Sequence, residues 1–357
     1  MKLIKTLLKI VAYSLVFLTI LFSSGAMLCK YFEISENSFI QVFGYLSFYW
    51  IITISIVTII LLIVTGKRRI SLYYFLLMFV FFILLNDFSF SWLRRKGSSV
   101  SGTVTSFKVA AYNVKYYSYG IEKISKYARE SDIDILLLSE SVLTTENLEW
   151  LRENAGTFTV YTDGGHDLAL LSRYPVTDYK VIELPTYIAS LSGPNDPDKL
   201  KDSGIHRSFV HAVVNVNGTQ VNLLSLRLTA GRPKDKSLAE AIKWGKYLLS
   251  AQNQEVSVFL NYINSLKGPV IFGGDLNCPP NAAIIHRIRK YVADSYLDDN
   301  YVGSFTFKAS MPTARLDYIF HSPDLVVRNS KVINPKLSDH FLIKSEFLIG
   351  KNQVNNN

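Results

Sequence analysis

Residues 269–277 read PVIFGGDLN, an apolar run that ends in an acid and an amide. A short apolar run beside turn-forming residues predicts a buried β-strand. Asp275 and Asn277 follow at its carboxyl end, and on an extended segment two side chains two residues apart project to one face. This stretch therefore predicts a core strand that presents a carboxylate and an amide at the edge of a sheet.

Two earlier segments repeat this arrangement. The predicted strand 108–114 (KVAAYNV) closes with Asn113, and the buried strand 133–140 (IDILLLSE) ends with Glu140. Taken alone, each polar residue has a simpler interpretation: Glu140 as a solvated strand end and Asn113 as a turn former.

Two later segments place acids at the start of a strand. Arg315-Leu316-Asp317-Tyr318 opens the strand predicted near 316–321, and Ser338-Asp339-His340 precedes the last predicted strand. Asp339 by itself is equally typical of a cap. Together with the two earlier strands, these segments predict a cluster of acids, amides and one histidine.

The remaining pattern of the chain predicts its fold class. Asn217-Gly218 lies between apolar segments 208–216 and 219–228, and this dipeptide is typical of a type I′ hairpin turn. Helices are predicted over 121–130, 146–154, 237–266 and 282–291, and further strands over 158–161, 168–171, 325–332 and 341–348. Antiparallel hairpins mixed with long helices favour two sheets covered by helices over a doubly wound parallel sheet.

The motifs occur in one order, and in that order the chain resembles the endonuclease/exonuclease/phosphatase superfamily over roughly residues 106–348. This family includes DNase I-like nucleases, inositol-polyphosphate phosphatases and neutral sphingomyelinases. The resemblance implies a four-layer α/β/β/α sandwich with the site where the loops of the two sheets meet. The motifs that carry it are AYNV around Asn113, LLLSE ending at Glu140, LSRYP at 171–175, GDLN at 274–277, RLDYIF at 315–320 and SDH at 338–340.

The resemblance implies hydrolysis of a phosphodiester or phosphomonoester with Mg²⁺ or Mn²⁺. Oxygen-liganded ions of this kind screen phosphoryl charge and assist formation of a nucleophile from water. Glu140 is the expected principal ligand, with Asn113 and Asp339 completing or supporting the shell. Hard oxygen donors without a second nearby histidine argue against zinc.

The resemblance also assigns catalytic roles. Asp275 is expected to orient and deprotonate the attacking water, and Asn277 to donate a hydrogen bond to a phosphate oxygen. His340 contacts the same phosphate, and Asp317 is the natural partner to orient its ring. The alternative is that Asp317 and His340 form an ordinary structural pair.

Three basic residues bear on the phosphate site. Arg207 resembles an arginine that contacts phosphate in some members, although a surface arginine is an equally simple interpretation. Arg227, in LSLRL at 224–228, stands where many members have a histidine that assists the leaving group or binds phosphate. Lys115 occupies a position that is acidic in some nucleases of the family.

Arginine does not readily donate a proton, but it can hold a phosphate through two hydrogen bonds. Three consequences of Arg227 stay open: a leaving group that needs little protonation, a role in charge stabilisation, or reduced activity. The last suggests an alternative function, a binding module that keeps the fold and holds a phosphorylated ligand without turnover.

The N-terminal part differs in character from this domain. The chain has 357 residues, 49% of them hydrophobic and 19% charged, which excludes a disordered chain and a disulfide-stapled miniprotein. Uncharged stretches at 10–29, 37–66 and 70–86 predict about three transmembrane helices within a membrane anchor spanning residues 1–96. A cleaved signal peptide is the alternative for the first stretch, and an interfacial hairpin for the third.

The charge distribution follows the same division. Of the formal +9, residues 1–100 carry ten basic and three acidic side chains (+7), and the remainder carries 28 and 26 (+2). A nearly neutral domain does not favour nucleic acid as the substrate, because sequence-independent DNA binding usually needs a basic excess. The expected partners are a phosphoester substrate and a lipid bilayer. Nucleic acid is not favoured by charge, but a nuclease and a phospholipid or sugar-phosphate hydrolase both stay open as the activity.

The short loops of the anchor predict its orientation. With the N-terminus in the cytoplasm, six Lys and Arg lie inside and four outside, which favours a multi-pass protein of the cell membrane with the domain on the non-cytoplasmic side. Domain boundaries follow from composition: a linker over 97–106, the phosphoesterase-like domain over 107–349 and a disordered tail over 350–357.

Overall fold

The computed structural model describes residues 2–34, 39–45, 48–85, 104–188, 204–230, 237–300, 303–308 and 314–350. By its internal contacts the chain divides into two compact units. The first contains the N-terminal helices together with Cys278–Arg287, and the second contains two β-sheets with their flanking helices.

The predicted apolar stretches form helices. The helices of the N-terminal unit are α1 Lys2–Tyr31, α2 Gln41–Gly44, α3 Phe48–Val64 and α4 Arg68–Leu85. By length and composition α1 and α4 are apolar enough to cross a membrane, whereas α3 is a shorter apolar helix. The predicted second stretch thus contains α2 and α3, and Asn86 of the third lies outside the described residues.

A polar network joins the three long helices. The Thr19 hydroxyl of α1 lies 2.7 Å from the Tyr74 hydroxyl of α4, which donates to Ser55 Oγ of α3 at 3.1 Å. Lys30, near the end of α1, donates to the last carbonyls of α4. The C-terminal ends of α1 and α4 are therefore together, so these two helices run in the same direction.

The strands of the second unit are β1 Val104–Asn113, β2 Ile135–Ser139, β3 Thr159–Thr162, β4 Leu168–Ser172, β5 Val176–Tyr187, β6 His206–Val216, β7 Thr219–Leu226, β8 Val270–Asp275, β9 Ala293–Asp294, β10 Asp317–His321, β11 Val326–Ile333 and β12 Leu342–Gly350. Over the described residues they form two sheets of six strands each. The first sheet has the order β11-β12-β1-β2-β4-β3, and the second has the order β5-β6-β7-β8-β10-β9. The helices that follow α4 along the chain are α5 Ile121–Glu130, α6 Thr145–Asn154, α7 Leu238–Ser265, α8 Ala283–Arg289 and α9 Ser295–Asp299. Of these, α8 lies mostly in the segment that belongs to the first unit.

Alternating side chains of the strands build the layers, because successive residues of a strand point to opposite faces. Val109 and Ala111 of β1 pack between the sheets with residues of the second sheet such as Ile271. Ala110 and Tyr112 point the other way and pack with the apolar residues of α5 and α6.

Aromatic side chains fill the outer face of the second sheet. Phe209 and Phe272 each contact Phe259 of α7, with ring centroids 5.1 and 4.8 Å apart. Helices therefore cover both outer faces of two packed sheets, which confirms the four-layer α/β/β/α sandwich predicted from the resemblance.

The predicted hairpin is also confirmed. β6 and β7 pair in antiparallel register up to Val216 and Thr219, and the turn between them has φ of +51° at Asn217 and +97° at Gly218. Both values are what a type I′ turn requires.

The first sheet reaches a few residues beyond the limits predicted for the domain, and the predicted domain boundaries stay a prediction. β1 begins at Val104, inside the predicted linker, because Val104 pairs with Gly350 at the end of β12. Gly350 in turn was predicted to begin the tail. Residues 97–103 and 351–357, the rest of these two segments, lie outside the described residues.

Candidate active site

The sheet topology brings the polar strand ends to one edge of the sandwich. β1 and β2 are parallel and pair Asn113 with Ser139, which places Glu140 beside Asn113. Asp317 pairs with Asp275 across the antiparallel strands β10 and β8. The two sheets are linked at this edge by a hydrogen bond from the Asp275 amide to Ser139 Oγ at 3.3 Å.

Asp275 lies at the centre of the cluster. Its side chain is fully buried, and Asn113 Nδ2 donates to its Oδ2 at 2.9 Å. Asn113 Oδ1 accepts from the backbone amide of Lys115 at 2.9 Å, so the orientation of the amide group is fixed. Asn113 therefore holds one oxygen of Asp275 in place.

Asn277 reaches the site by a different backbone path than predicted. β8 ends at Asp275, and Asn277 has φ of +49°, so the segment is not extended and the argument from strand alternation was wrong. The chain turns back because the Asn277 amide donates to Asp275 Oδ1 at 3.0 Å. Asn277 Nδ2 donates to the Leu228 carbonyl at 3.0 Å, which still leaves one of its two hydrogens.

His340 and Asp317 form a buried pair. His340 Nδ1 lies 2.8 Å from Asp317 Oδ2, and the Asp317 amide donates to Thr306 Oγ1 at 3.0 Å. Among the described residues, Asp317 Oδ1 is buried and has no hydrogen-bond partner. An acceptor left in that state is expected to receive a partner from a bound group.

Burial and neighbouring charges shift the protonation of this group. Burial opposes the charged form of His340, but the carboxylates of Asp317 and Asp275 outweigh it and raise the pKa of His340 to about 9. Burial, with repulsion from Asp317, raises the pKa of the Asp275 carboxyl. The arrangement thus pairs a cationic imidazole with a carboxylate that is more basic than usual.

Glu140 is held by Arg227. Arg227 Nη2 donates to Glu140 Oε1 at 2.6 Å, its Nη1 donates to Asp167 at 3.1 Å, and its Nε lies 3.9 Å from Asp275 Oδ2. The Arg227 side chain is 5% exposed. Burial lowers the pKa of Arg227, but these carboxylates raise it well above its usual value, so the guanidinium is a permanent cation.

Arg207, the other predicted phosphate contact, is also buried. Its Nη1 donates to Asp167 Oδ2 at 3.3 Å and to the Arg227 carbonyl at 3.4 Å, and its Nε lies 3.8 Å from Glu255 Oε1. Its side chain is only 8% exposed, which removes the surface-arginine interpretation. Its present partners are carboxylates, and contact with phosphate stays a prediction.

Asp339 lies at the rim and is paired with Lys115. Lys115 Nζ lies 3.1 Å from Asp339 Oδ2, with both side chains partly exposed. The structure therefore connects all nine predicted residues through a chain of contacts: Asn113, Glu140, Arg207, Arg227, Asp275, Asn277, Asp317, Asp339 and His340.

Unusual backbone conformations concentrate here. Of the seven non-glycine residues with positive φ in the described chain, five are at this edge: Lys115, Tyr116, Tyr117, Glu140 and Asn277. Each costs free energy that the surrounding structure must offset, and such residues cluster at functional sites.

Two groups of donors could hold a divalent cation. Donor atoms of Asp275, Asp317 and His340 lie within 4.8 Å of one another. The second group is the predicted set of oxygens from Glu140, Asn113 and Asp339. Carboxylate and amide oxygens match the preference of Mg²⁺ and Mn²⁺, so the residues fit the ion that the resemblance implies.

Sequence reasoning missed the buried acids beneath the site. Asp167 follows a loop with no motif, and only its contacts with two arginines identify it. Glu255 gives more signal, because it shares the buried face of α7 with Ala251 and Phe259. An acid on the apolar face of a helix predicts a buried partner. Here Glu255 accepts from the amide and hydroxyl of Thr229.

Several solved structures share this fold. The endonuclease/exonuclease/phosphatase from Bacteroides vulgatus has a TM-score of 0.51 and 16% identity over 68% of this chain and 98% of that chain. The corresponding protein from Beutenbergia cavernae has a TM-score of 0.51 and 18% identity over 69% and 72%. D. rerio TDP2, humanized by 14 mutations, has a TM-score of 0.52 and 17% identity over 68% and 98%. At this identity the likeness establishes the fold alone.

Family membership rests on the sequence. No curated protein matches the chain. A model of the endonuclease/exonuclease/phosphatase family matches residues 110–340, from the middle of β1 to His340, which is more than half of the chain. The protein therefore belongs to the endonuclease/exonuclease/phosphatase family.

Proposed function

We propose that the protein is a membrane-anchored, divalent-metal-dependent phosphoesterase that cleaves a phosphodiester or phosphomonoester. Members of the family are hydrolases that act on phosphoester bonds. The observation that supports the proposal most is Asp275, a buried carboxylate held by Asn113 at 2.9 Å and facing the Asp317–His340 pair.

Asp275 is the proposed general base. Asn113 and the Asn277 amide each bond a different oxygen of its carboxylate, which fixes the direction of the remaining lone pairs. A fixed carboxylate with a raised pKa is suited to accept a proton from water. The geometry of this base is thus set before a substrate arrives.

The donors around it are proposed to bind the phosphate. With Nδ1 engaged by Asp317, the Nε2 of His340 is the nitrogen that can donate to a phosphoryl oxygen. Asn277 has one amide hydrogen left for the same purpose. Donors that are already oriented when negative charge develops lower the barrier without reorganisation.

The proposed ligands of Mg²⁺ or Mn²⁺ are Glu140, with Asn113 and Asp339 in support. When bound, the ion would screen phosphoryl charge and orient the ester. Asp317 and His340 bond each other, so this pair is better suited to contact the phosphate than to hold the metal.

Hydrolysis by the full-length chain in detergent tests the proposal. Bis(p-nitrophenyl) phosphate and p-nitrophenyl phosphate would be assayed with Mg²⁺, with Mn²⁺ and with EDTA. We expect metal-dependent turnover, and we expect Asp275→Asn to lower kcat/KM by about 10²- to 10⁴-fold because the proton acceptor is lost. Asp178→Asn, in an exposed ion pair with Lys180 on β5, is the matched control. Turnover that survives Asp275→Asn would refute the assignment.

One observation favours a second function, a module that binds a phosphorylated ligand without turnover. Arg227 replaces the histidine of many family members and is engaged by three carboxylates, so a proton donor for the leaving group is not evident at that position. Calorimetric binding of inorganic phosphate with no hydrolysis of either ester would support the module. Efficient hydrolysis would eliminate it.

The substrate class is a further part of the proposal. The domain's small charge excess supports a lipid headgroup or an extracellular phosphoester more than nucleic acid. Products would be profiled on DNA, RNA, sphingomyelin and inositol phosphates. Preferential cleavage of DNA or RNA would contradict this choice.

The helices α1, α3 and α4 are proposed to anchor the chain in the cell membrane. Large apolar side chains on them are exposed, including Phe17, Trp50 and Phe79, while the hydroxyls of Thr19 and Tyr74 bond internally. Apolar surface outside and satisfied polar groups inside suit a lipid environment.

A further inference from the structure

This chain departs from the family pattern at two positions, and in the structure both residues contact proposed metal ligands. The resemblance singles out Arg227, in place of a histidine, and Lys115, at a position that is acidic in some nucleases. Arg227 is bonded to Glu140, and Lys115 is paired with Asp339. Glu140 and Asp339 are the two carboxylates proposed to bind the metal, so each proposed acidic ligand has a cationic partner.

The Arg227–Glu140 pair is the stronger of the two. The 2.6 Å bond joins side chains that are 5% and 15% exposed, so water screens their attraction little. Arg227 is itself held by both oxygens of Asp167 and cannot move away without losing these two hydrogen bonds. One oxygen of Glu140 is therefore occupied by a guanidinium of fixed position.

In the Lys115–Asp339 pair the lysine side chain is more exposed and can change its position. The 3.1 Å contact joins side chains that are 41% and 20% exposed, and the ammonium is carried on a flexible stem. The Lys115 amide meanwhile bonds Asn113 Oδ1, so the same residue contacts two of the three proposed ligands. Substitution of this side chain changes the charge beside the site while leaving the backbone contact available.

A divalent cation and these side chains need the same oxygens. An ion bound at Glu140 and Asp339 must share or displace their bonds to Arg227 and Lys115, and it experiences the repulsion of both positive charges. Coordination by the same carboxylates without cationic partners would carry neither cost.

We propose that Lys115 and Arg227 are built-in counter-cations that compete with the divalent metal and lower its affinity for this site. The inference rests on the proposed function, since it takes Glu140 and Asp339 as ligands. It predicts that removing the charge of Lys115 tightens metal binding, the opposite of what loss of a residue that supports the metal would do.

Mn²⁺ binding to the full-length chain in detergent, followed by electron paramagnetic resonance without substrate, is the test. We expect Lys115→Gln to lower the Kd for Mn²⁺ by about 2- to 5-fold, the range that a partly screened ion pair allows. Lys115→Arg keeps the charge and should retain the wild-type Kd. Lys180→Gln removes a lysine from an exposed ion pair on β5 and should also leave it unchanged. Arg227 is not used because its removal leaves buried acids uncompensated.

Glu140→Gln and Asp339→Asn separate the two proposals. If both variants weaken Mn²⁺ binding and Lys115→Gln tightens it, both proposals are supported. If both weaken it and Lys115→Gln leaves the Kd unchanged or raises it, the counter-cation inference fails alone. If neither acid variant weakens binding, or if neither the wild-type chain nor Lys115→Gln binds Mn²⁺, the ligand assignment fails and the inference fails with it. Circular dichroism of each variant identifies any that does not fold.

Discussion

Arg227 places a permanent positive charge in this site. At the same position a histidine would titrate near neutral pH, whereas the guanidinium stays charged and donates in a fixed plane. Its contacts with Glu140, Asp167 and Asp275 make it the centre of a buried ion network. Buried networks of this kind are costly to disturb, because any partner left behind is a charge without a counter-charge.

Arg227→Gln is therefore expected to destabilise the protein by about 3 kcal/mol. This value is near the lower end of the range for breaking a buried ion pair, because Arg207 still contacts Asp167. Chemical unfolding followed by circular dichroism in the same detergent measures the change. Lys180→Gln, which breaks an exposed pair, should leave the unfolding transition in place. An unaltered transition for Arg227→Gln would mean that the network contributes little.

At the scale of elements, the close approach of β7 and β8 sets the position of Asp275. Gly274 has φ of +142°, and a Cβ built there would lie 2.1 Å from the Leu226 carbonyl oxygen. Neither the conformation nor the space admits another residue. A glycine is thus needed immediately before the proposed base.

Gly274→Ala is expected to destabilise the chain and to lower hydrolysis, because β8 must move away from β7 and carry Asp275 with it. Gly245→Ala is the matched control, since Gly245 lies in α7 with nothing within 4 Å of a built Cβ. There the same substitution should stabilise by about 0.5–1 kcal/mol through helix propensity. Thermal unfolding of both variants and of the wild-type chain measures the two changes in stability. Equal changes for Gly274→Ala and Gly245→Ala would contradict the need for a glycine at position 274.

A second ion pair connects elements on the far side of β10. Asp294 accepts the amide of Tyr296 at the start of α9, and both of its oxygens bond the guanidinium of Arg315. Burial opposes the charged form, but Arg315 and Arg289 outweigh it and lower the pKa of Asp294. The carboxylate therefore both caps a helix and fixes the residue that opens the RLDYIF segment.

The stability that Asp294 supplies depends on pH with a definite sign. Its folded-state pKa lies below the value of about 3.9 in an unfolded chain, so the contribution is complete above that pH and is lost as pH falls through the folded pKa. Asp294→Asn is expected to cost about 3 kcal/mol at pH 7. Its free energy of unfolding should converge with that of the wild type in strong acid. Unfolding curves of both proteins across pH test this prediction. A difference in the free energy of unfolding that grows toward low pH would contradict the predicted sign.

For the whole molecule, the proposed membrane anchor predicts on which side of the membrane the domain lies. Lys30 bonds the last carbonyls of α4, so α1 and α4 run in the same direction. With α3 returning between them, three crossings would put the N-terminus and the domain on opposite sides. The Lys and Arg count of the short loops favours the N-terminus inside.

Protease treatment of intact cells is expected to digest the domain and to spare an N-terminal tag. The chain itself should resist extraction from membranes by alkaline carbonate. Lysed cells provide the control, because both parts then become accessible. A domain that is fully protected in intact cells would overturn the proposed orientation, and release by carbonate would overturn the anchor.

The four-layer order followed from the family resemblance, whereas the sequence pattern by itself determined two sheets covered by helices, the hairpin, and the strand-end positions of Asn113, Asp275 and Asp317. These features depend on side-chain period and turn chemistry, which act between neighbours along the chain. Only the tertiary structure determined that Glu140 forms an ion pair with Arg227 and that Asp339 forms one with Lys115. It also decided that Asn277 turns back on Asp275 instead of continuing an extended strand. Partners far apart in sequence are selected by strand order and sheet packing, and the free energy of a buried charge depends on the partner it receives.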